Sequence, residues 1–157
     1  MAHERSQQKR SRGQGITEMA LAAPIMFLCV YGVIELGRLF FCYVTIQHAA
    51  RVATRVAVTG RGELEGTRYN AIVSAALSRV QSLSPVPQVI VQSWPGMTAT
   101  GPGRLGNPGQ PCELVEVELR YNYRPILPFI RRLMPNQGTI QLRGRDRKLN
   151  EPWIPCP

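Results

Sequence analysis

Residues 19–34 form a run of 16 residues without a charged side chain. An apolar block of this length has two stable homes, a bilayer or the interior of a large domain. Glu35 and Arg38 interrupt the block, and residues 39–46 resume its apolar character. A membrane-spanning helix needs about 20 mostly apolar residues, and the two segments together supply them. Glu35 and Arg38 are one helical turn apart, so they pair on one face. A charge pair inside a bilayer is costly and is tolerated where it faces a partner.

The flank of this block sets its orientation. Residues 1–12 are polar and carry Arg5, Lys9, Arg10 and Arg12 against the single acid Glu4. They read as a disordered leader, and their positive charge predicts a cytoplasmic N-terminus with the rest of the chain outside. The apolar block runs directly into further helix, without a small-x-small site followed by a polar break, so a retained signal anchor fits better than a cleaved signal peptide.

The helix is expected to continue beyond the membrane. Ile46, Ala49, Ala50, Ala53 and Ala57 form a stripe at helical spacing, with Arg51 and Arg55 on another face. Gly60 and Gly62 are natural stops. From Thr17 to Thr59 such a helix would run roughly 65 Å at about 1.5 Å per residue. Pro24 lies inside it, removes one backbone hydrogen bond and is expected to bend it.

A second helix fits residues 63–82, with Tyr69, Ile72, Val73, Ala76, Leu77, Val80 and Leu83 on its apolar face. Pro85 and Pro87 end it, and residues 86–94 read as a strand. Residues 95–111 are Gly/Pro-rich and read as a flexible connector. No Gly-Lys-Ser/Thr follows, which excludes a phosphate loop. Residues 113–123 give the strongest strand signal. Val115, Val117, Leu119, Tyr121 and Tyr123 alternate with Glu116, Glu118, Arg120 and Asn122, the pattern of a sheet with one buried face. Residues 125–134 are a short helix or an apolar loop. Residues 138–147 read as the last strand, with Ile140 and Leu142 inward. The predicted fold class is therefore α+β: a long transmembrane and stalk helix, a second helix and a small antiparallel sheet of three strands. The expected division is a leader at 1–13, the membrane and stalk helix at 14–60, and an extracytoplasmic domain at 61–157.

The four cysteines are of two kinds. Cys29 and Cys42 lie on the apolar helix about 20 Å apart along its axis, too far to bridge, and read as small apolar side chains. Cys112 and Cys156 lie 44 residues apart in the polar part. Outside the cytoplasm they are the expected disulfide pair, with two unpaired thiols as the alternative.

The formal net charge of +9 admits nucleic acid or anionic lipid as a partner. The arginines are scattered and no nucleic-acid-binding signature is present, so no nucleic acid is expected and the lipid bilayer is. The chain has one aspartate, Asp146, and two histidines, His3 and His48. It shows no carboxylate dyad, no nucleophile–histidine arrangement and no metal cluster, so neither an enzyme nor a cofactor site is expected.

The most informative short segment is Gly13-Gln14-Gly15-Ile16-Thr17-Glu18-Met19, at the join between the basic leader and the apolar helix. The segment resembles a type IV prepilin processing site, in which cleavage after the glycine would leave Gln14 first. On that resemblance, Gly13 would let an extended chain enter a protease cleft at the membrane surface, and Glu18, five residues on, would be a charge that a neighbouring subunit's new amine neutralises. The plainer role for Glu18 is a favourable charge near a helix N-terminus. Met19 stands where an aromatic often follows. The longer series of Gly13, Glu18-Met19-Ala20-Leu21, Pro24, Glu35-Leu36-Gly37-Arg38, Ala49-Ala50-Arg51 and Arg55 resembles the TadE-like family of tight-adherence pilus systems. Lys148-Leu149-Asn150-Glu151-Pro152 is similar to the endings of that family. The resemblance implies a minor pilin or pseudopilin that starts or caps a pilus. It also implies a prepilin peptidase, a major Flp-type pilin, a TadF-like minor pilin and an inner-membrane platform with its ATPase as partners. The alternative is an unprocessed single-pass anchor acting as an assembly factor or another envelope protein.

Overall fold

The computed structural model describes residues 14–134 and 138–156, apart from the side chains of Phe129 and Leu133. The leader, residues 1–13, and with it Gly13, lies outside the described residues. The chain divides into two compact units, Met1–Arg38 and Leu39–Pro157.

Helix α1 is Ala2–Val58, described from Gln14 onward, and it passes through Pro24 without interruption. In the first unit it is helix alone. In the second unit its residues from Leu39 on belong to a packed domain. There Cys42, Ile46, Ala49, Ala50, Ala53 and Ala57 are buried, while Arg51 and Arg55 are exposed. The stripe of 3.6-residue periodicity thus faces this domain's own core.

The small side chains on that stripe permit a close approach to the sheet. A Cβ on Gly144 would lie 2.6 Å from the Ile46 carbonyl oxygen, so the strand backbone there abuts the helix backbone directly. The Thr54 hydroxyl donates to the Asp146 carbonyl at 3.3 Å, and the Glu151 N–H donates to the Val58 carbonyl at 2.9 Å. These contacts advance in the same order along both segments, so this part of α1 and the last strand run side by side in one direction.

Helix α2 is Arg68–Leu77, shorter than the predicted helix at 63–82. Its start is delayed because the Thr67 and Arg68 N–H groups both donate to the Gly62 carbonyl in a turn whose Gly62 has φ +82°. Ile72 and Ala76 are buried with Val80 and Leu83, but the last two reach the core from turns after the helix rather than from its face. Tyr69, predicted on the apolar face, is exposed.

The sheet has four antiparallel strands in the order β2-β1-β3-β4. They are β1 Gln88–Trp94, β2 Arg104–Leu105, β3 Leu114–Tyr123 and β4 Ile140–Leu149. Helix α3, Pro128–Leu133, joins β3 to β4. The predicted three-stranded sheet gains the short β2, which comes from the segment read as a flexible connector. Its pairing is brief, with Gln92 opposite Leu105 and Ser93 opposite Arg104.

The core face of β3 carries Val115, Val117, Leu119, Tyr121 and Tyr123, all buried, with Val91 beside them on β1 and Leu142 on β4. The other face departs from the expectation of solvent-facing acids. Glu116 is 2% exposed and Glu118 8%. β3 lies between two strands, so its carboxylates are flanked on both sides, Glu116 by Gln92 and Arg147 and Glu118 by Ile90 and Arg145. Glu116 accepts from Gln92 at 2.6 Å and from Arg147 at 2.7 Å, and Arg147 lies over the Trp94 ring at 4.8 Å. Burial of these charges is tolerated because each is paired and hydrogen-bonded.

Candidate functional site

In the first unit, polar side chains bond locally at the first described turn of α1. The Gln14 amide donates to the Glu18 carboxylate at 3.2 Å across four residues. The Thr17 hydroxyl donates to the Gln14 carbonyl at 2.9 Å. These local bonds hold Glu18 against the first described turn. Beyond it, Ile16, Met19, Leu21, Ile25, Met26, Phe27, Leu28, Val30, Tyr31, Val33, Ile34 and Leu36 are all exposed. A helix apolar on every side and covered by nothing is built for lipid or for neighbouring helices. The described part of α1 is long and apolar enough to cross a membrane, and this single amino-terminal helix suggests a membrane anchor.

Glu35 is half-buried and Arg38 exposed, one turn apart on α1. Both are engaged in polar contacts. Cys29 is exposed on the apolar segment and Cys42 is buried in the second unit; neither is in a disulfide.

The second unit is fastened by a knot that the sequence did not announce. Arg68 is 2% exposed. Its Nε and Nη2 donate to the Ala57 carbonyl at 3.2 and 2.8 Å, and its Nη1 donates to the Gly109 carbonyl at 2.6 Å and to Glu63 at 2.9 Å. The guanidinium also lies over the Trp153 ring at 4.5 Å. Trp153 in turn covers Gly60, where φ is +64° and a Cβ would fall 2.3 Å from the indole. The end of α1, the connector and the C-terminal segment therefore meet on one arginine. Asn150, also buried, donates to the Pro108 and Gln110 carbonyls at 3.0 and 2.9 Å. Cys112 and Cys156 are joined by a disulfide with their Cα atoms 5.8 Å apart. The signals for this knot were an arginine in register with Ile72 and Ala76 at four-residue spacing, and a tryptophan in an otherwise polar ending.

Electrostatics on the second sheet face are directional. The Glu118 carboxyl is held below its ordinary value, first by its hydrogen bond from Arg120, with burial opposing and the charges of Arg120, Arg143 and Arg145 reinforcing. Among the described residues, no three His, Cys, Asp or Glu side chains converge where a metal ion could sit.

The two predicted sets of site residues stay apart in the chain: Gln14, Glu18, Glu35 and Arg38 belong to the first unit, and Cys112 and Cys156 to the second. The sequence model of the TadE-like protein family matches residues 13–55. No curated protein and no solved structure matches the chain. The match suggests a protein associated with a tight-adherence pilus. The matched stretch starts at Gly13, takes in the whole apolar helix and ends at Arg55, one turn before α1 does, so it is over residues 13–55 that the chain is similar to the TadE-like family.

Proposed function

We propose that this chain is a TadE-like minor pilin of a tight-adherence pilus that starts or caps the filament. The observation that carries the reading is the family match over residues 13–55, which begins at the glycine of the processing-site resemblance and spans the exposed apolar helix. In this reading a prepilin peptidase cuts after Gly13 and leaves Gln14 first, with Glu18 fifth. The basic leader keeps the N-terminus cytoplasmic. The Cys112–Cys156 bridge supports an oxidising compartment for the domain, since such bonds do not persist in a reducing cytosol. The lipid-facing helix then passes from bilayer to filament, where Glu18, Glu35 and Arg38 meet neighbouring subunits. The partners are the peptidase, the major Flp-type pilin, a TadF-like minor pilin and the inner-membrane platform.

The test is expression with the cognate prepilin peptidase, followed by intact mass and N-terminal sequencing, with Gly13→Leu as control. A chain starting at Gln14, lost in the control, is the expected result. A full-length chain in both would leave a permanent membrane anchor and remove the filament role.

A further inference from the structure

The apolar character that resumes at residues 39–46 falls inside the second unit. One side of these turns of α1 is covered by the domain, with Cys42 and Ile46 buried. The other side carries Phe40, Phe41, Tyr43 and Val44, all exposed. The domain thus begins within the apolar run, with no polar spacer before it. Exposed aromatic side chains near the end of such a run are the composition of a membrane–water interface.

The connection from β3 to β4 lies at this same end of the unit. β4 runs in the direction of α1 with Gly144 against Ile46, and Ile140 comes four residues earlier. At about 3.3 Å per strand residue that is about 13 Å, or about nine residues of α1, which brings Ile140 close to the level of Leu39. Leu39 and Ile140 both pack against the core. Ile140 pairs with Tyr123, so residues 124–139 cap the unit where α1 enters it. This connection carries Arg124, Arg131 and Arg132, all exposed, and no acid. Among the described residues none of these three arginines is in an ion pair. Ile126 stands 49% exposed between them.

The exposed acids Glu65 and Glu151 lie at the opposite end. Glu65 belongs to the turn that follows α1, and the Glu151 N–H donates to the Val58 carbonyl. To lay these acids on the basic end, a second copy would have to be displaced along α1 by the distance from Leu39 to Val58, roughly 28 Å. Copies held in one bilayer by the same helix enter it at the same level and cannot be displaced so. Lipid phosphates, by contrast, are supplied at that level by the anchor itself, at high effective concentration.

We propose that the connection between β3 and β4 seats the domain on the anionic headgroups of the bilayer that holds α1. Arg124 and Arg132 pair with lipid phosphates, and Ile126 rests at the boundary of headgroups and acyl chains. Arg131 shapes the loop that presents them, its Nε donating to the Pro125 carbonyl at 2.8 Å and its Nη2 to the Ile126 carbonyl at 3.2 Å. The proposal rests on α1 being the membrane anchor and not on cleavage after Gly13.

The experiment uses the full chain, one per nanodisc, in phosphatidylcholine alone or mixed with phosphatidylglycerol. An Ile126→Trp variant reports depth through quenching by lipid that carries a nitroxide on its headgroup. The native Trp94 and Trp153 lie at the far end of the unit, beside Leu114 and past Glu151, and set the baseline. Arg124→Gln/Arg132→Gln is added to the same background, with its melting curve measured, and carbonate extraction of liposomes tests the anchor separately. The expected result is quenching of Ile126→Trp well beyond the baseline, stronger with phosphatidylglycerol, weakened by salt and about halved by the double substitution. A chain that resists carbonate but shows no excess quenching, or an excess that the folded double variant keeps in full, overturns the proposal and leaves the anchor standing. Extraction by carbonate overturns the anchor and the proposal with it. An effect of the two arginines seen only in discs holding two chains would assign this end to a contact between copies and overturn the proposal.

Discussion

The Arg68 guanidinium stacks over the Trp153 indole while donating to the Ala57 carbonyl at the end of α1. One buried cation thus holds a helix end, a loop and the C-terminal segment together. Arg68→Ala would strand the Ala57 and Gly109 carbonyls and leave Glu63 without its partner. The expected cost is about 3–5 kcal/mol. Arg68→Lys keeps the charge but not the planar fork, and is expected to recover only part of the loss. Denaturant melts of the detergent-solubilised chain, followed by tryptophan fluorescence, measure both.

The Gly144 contact gives a sharper steric test. A Cβ there meets the Ile46 carbonyl oxygen at 2.6 Å, its carbon at 2.7 Å and the Gln47 nitrogen at 2.9 Å. These are backbone atoms of a helix and cannot swing aside. Gly144→Ala is expected to destabilise the domain by about 1–3 kcal/mol, with Gly144→Val worse. An unchanged melting temperature for Gly144→Ala would mean that helix and strand do not touch there.

Thiol counting checks the bridge. In denaturant without reductant, alkylation should modify two cysteines, Cys29 and Cys42, and after reduction all four. Replacing Cys112 and Cys156 by serine is expected to cost about 4 kcal/mol for a bridge closing a loop of this length. Equilibrium unfolding of the oxidised and serine forms gives the difference.

Acid should weaken the Glu118–Arg120 pair. The folded carboxyl lies below its ordinary value of 4.5. A lowered folded value contributes stability above the unfolded value and loses it as pH falls through the folded one. The gap in melting temperature between the native chain and Arg120→Gln should therefore be widest above that ordinary value and narrow as pH drops past it. A gap that does not change with pH would show that the pair does not favour the ionised carboxyl.

Much of this architecture was readable because periodicity reports burial directly. The stripe from Ile46 to Ala57 repeats at helical spacing, and all five of its residues are fully buried. The alternation in β3 likewise located its core face. The same alternation misled on Glu116 and Glu118, since a period of two separates faces but does not say whether the second face is covered. Gln92, Trp94 and Arg147 cover it, and they arrive from other strands. The Arg68 knot was hidden for a related reason. Its partners are backbone carbonyls, which every residue has, so no pattern of side chains marks them. The connector at 95–111 looked flexible because glycine and proline signal turns equally well in mobile and in fastened segments. For the apolar helix, the uncharged run marked its presence.

The parallel course of α1 and β4 has a mechanical consequence. Tension along α1 enters the domain side-on, at Ile46 against Gly144, at Thr54 against Asp146 and at Val58 against Glu151. It is passed from there to the β3–β4 ladder and to the covalent link at Cys112. Bonds loaded in this way share the force and yield together, whereas a helix attached at one end would peel away bond by bond. The joint between α1 and β4 is a lap joint.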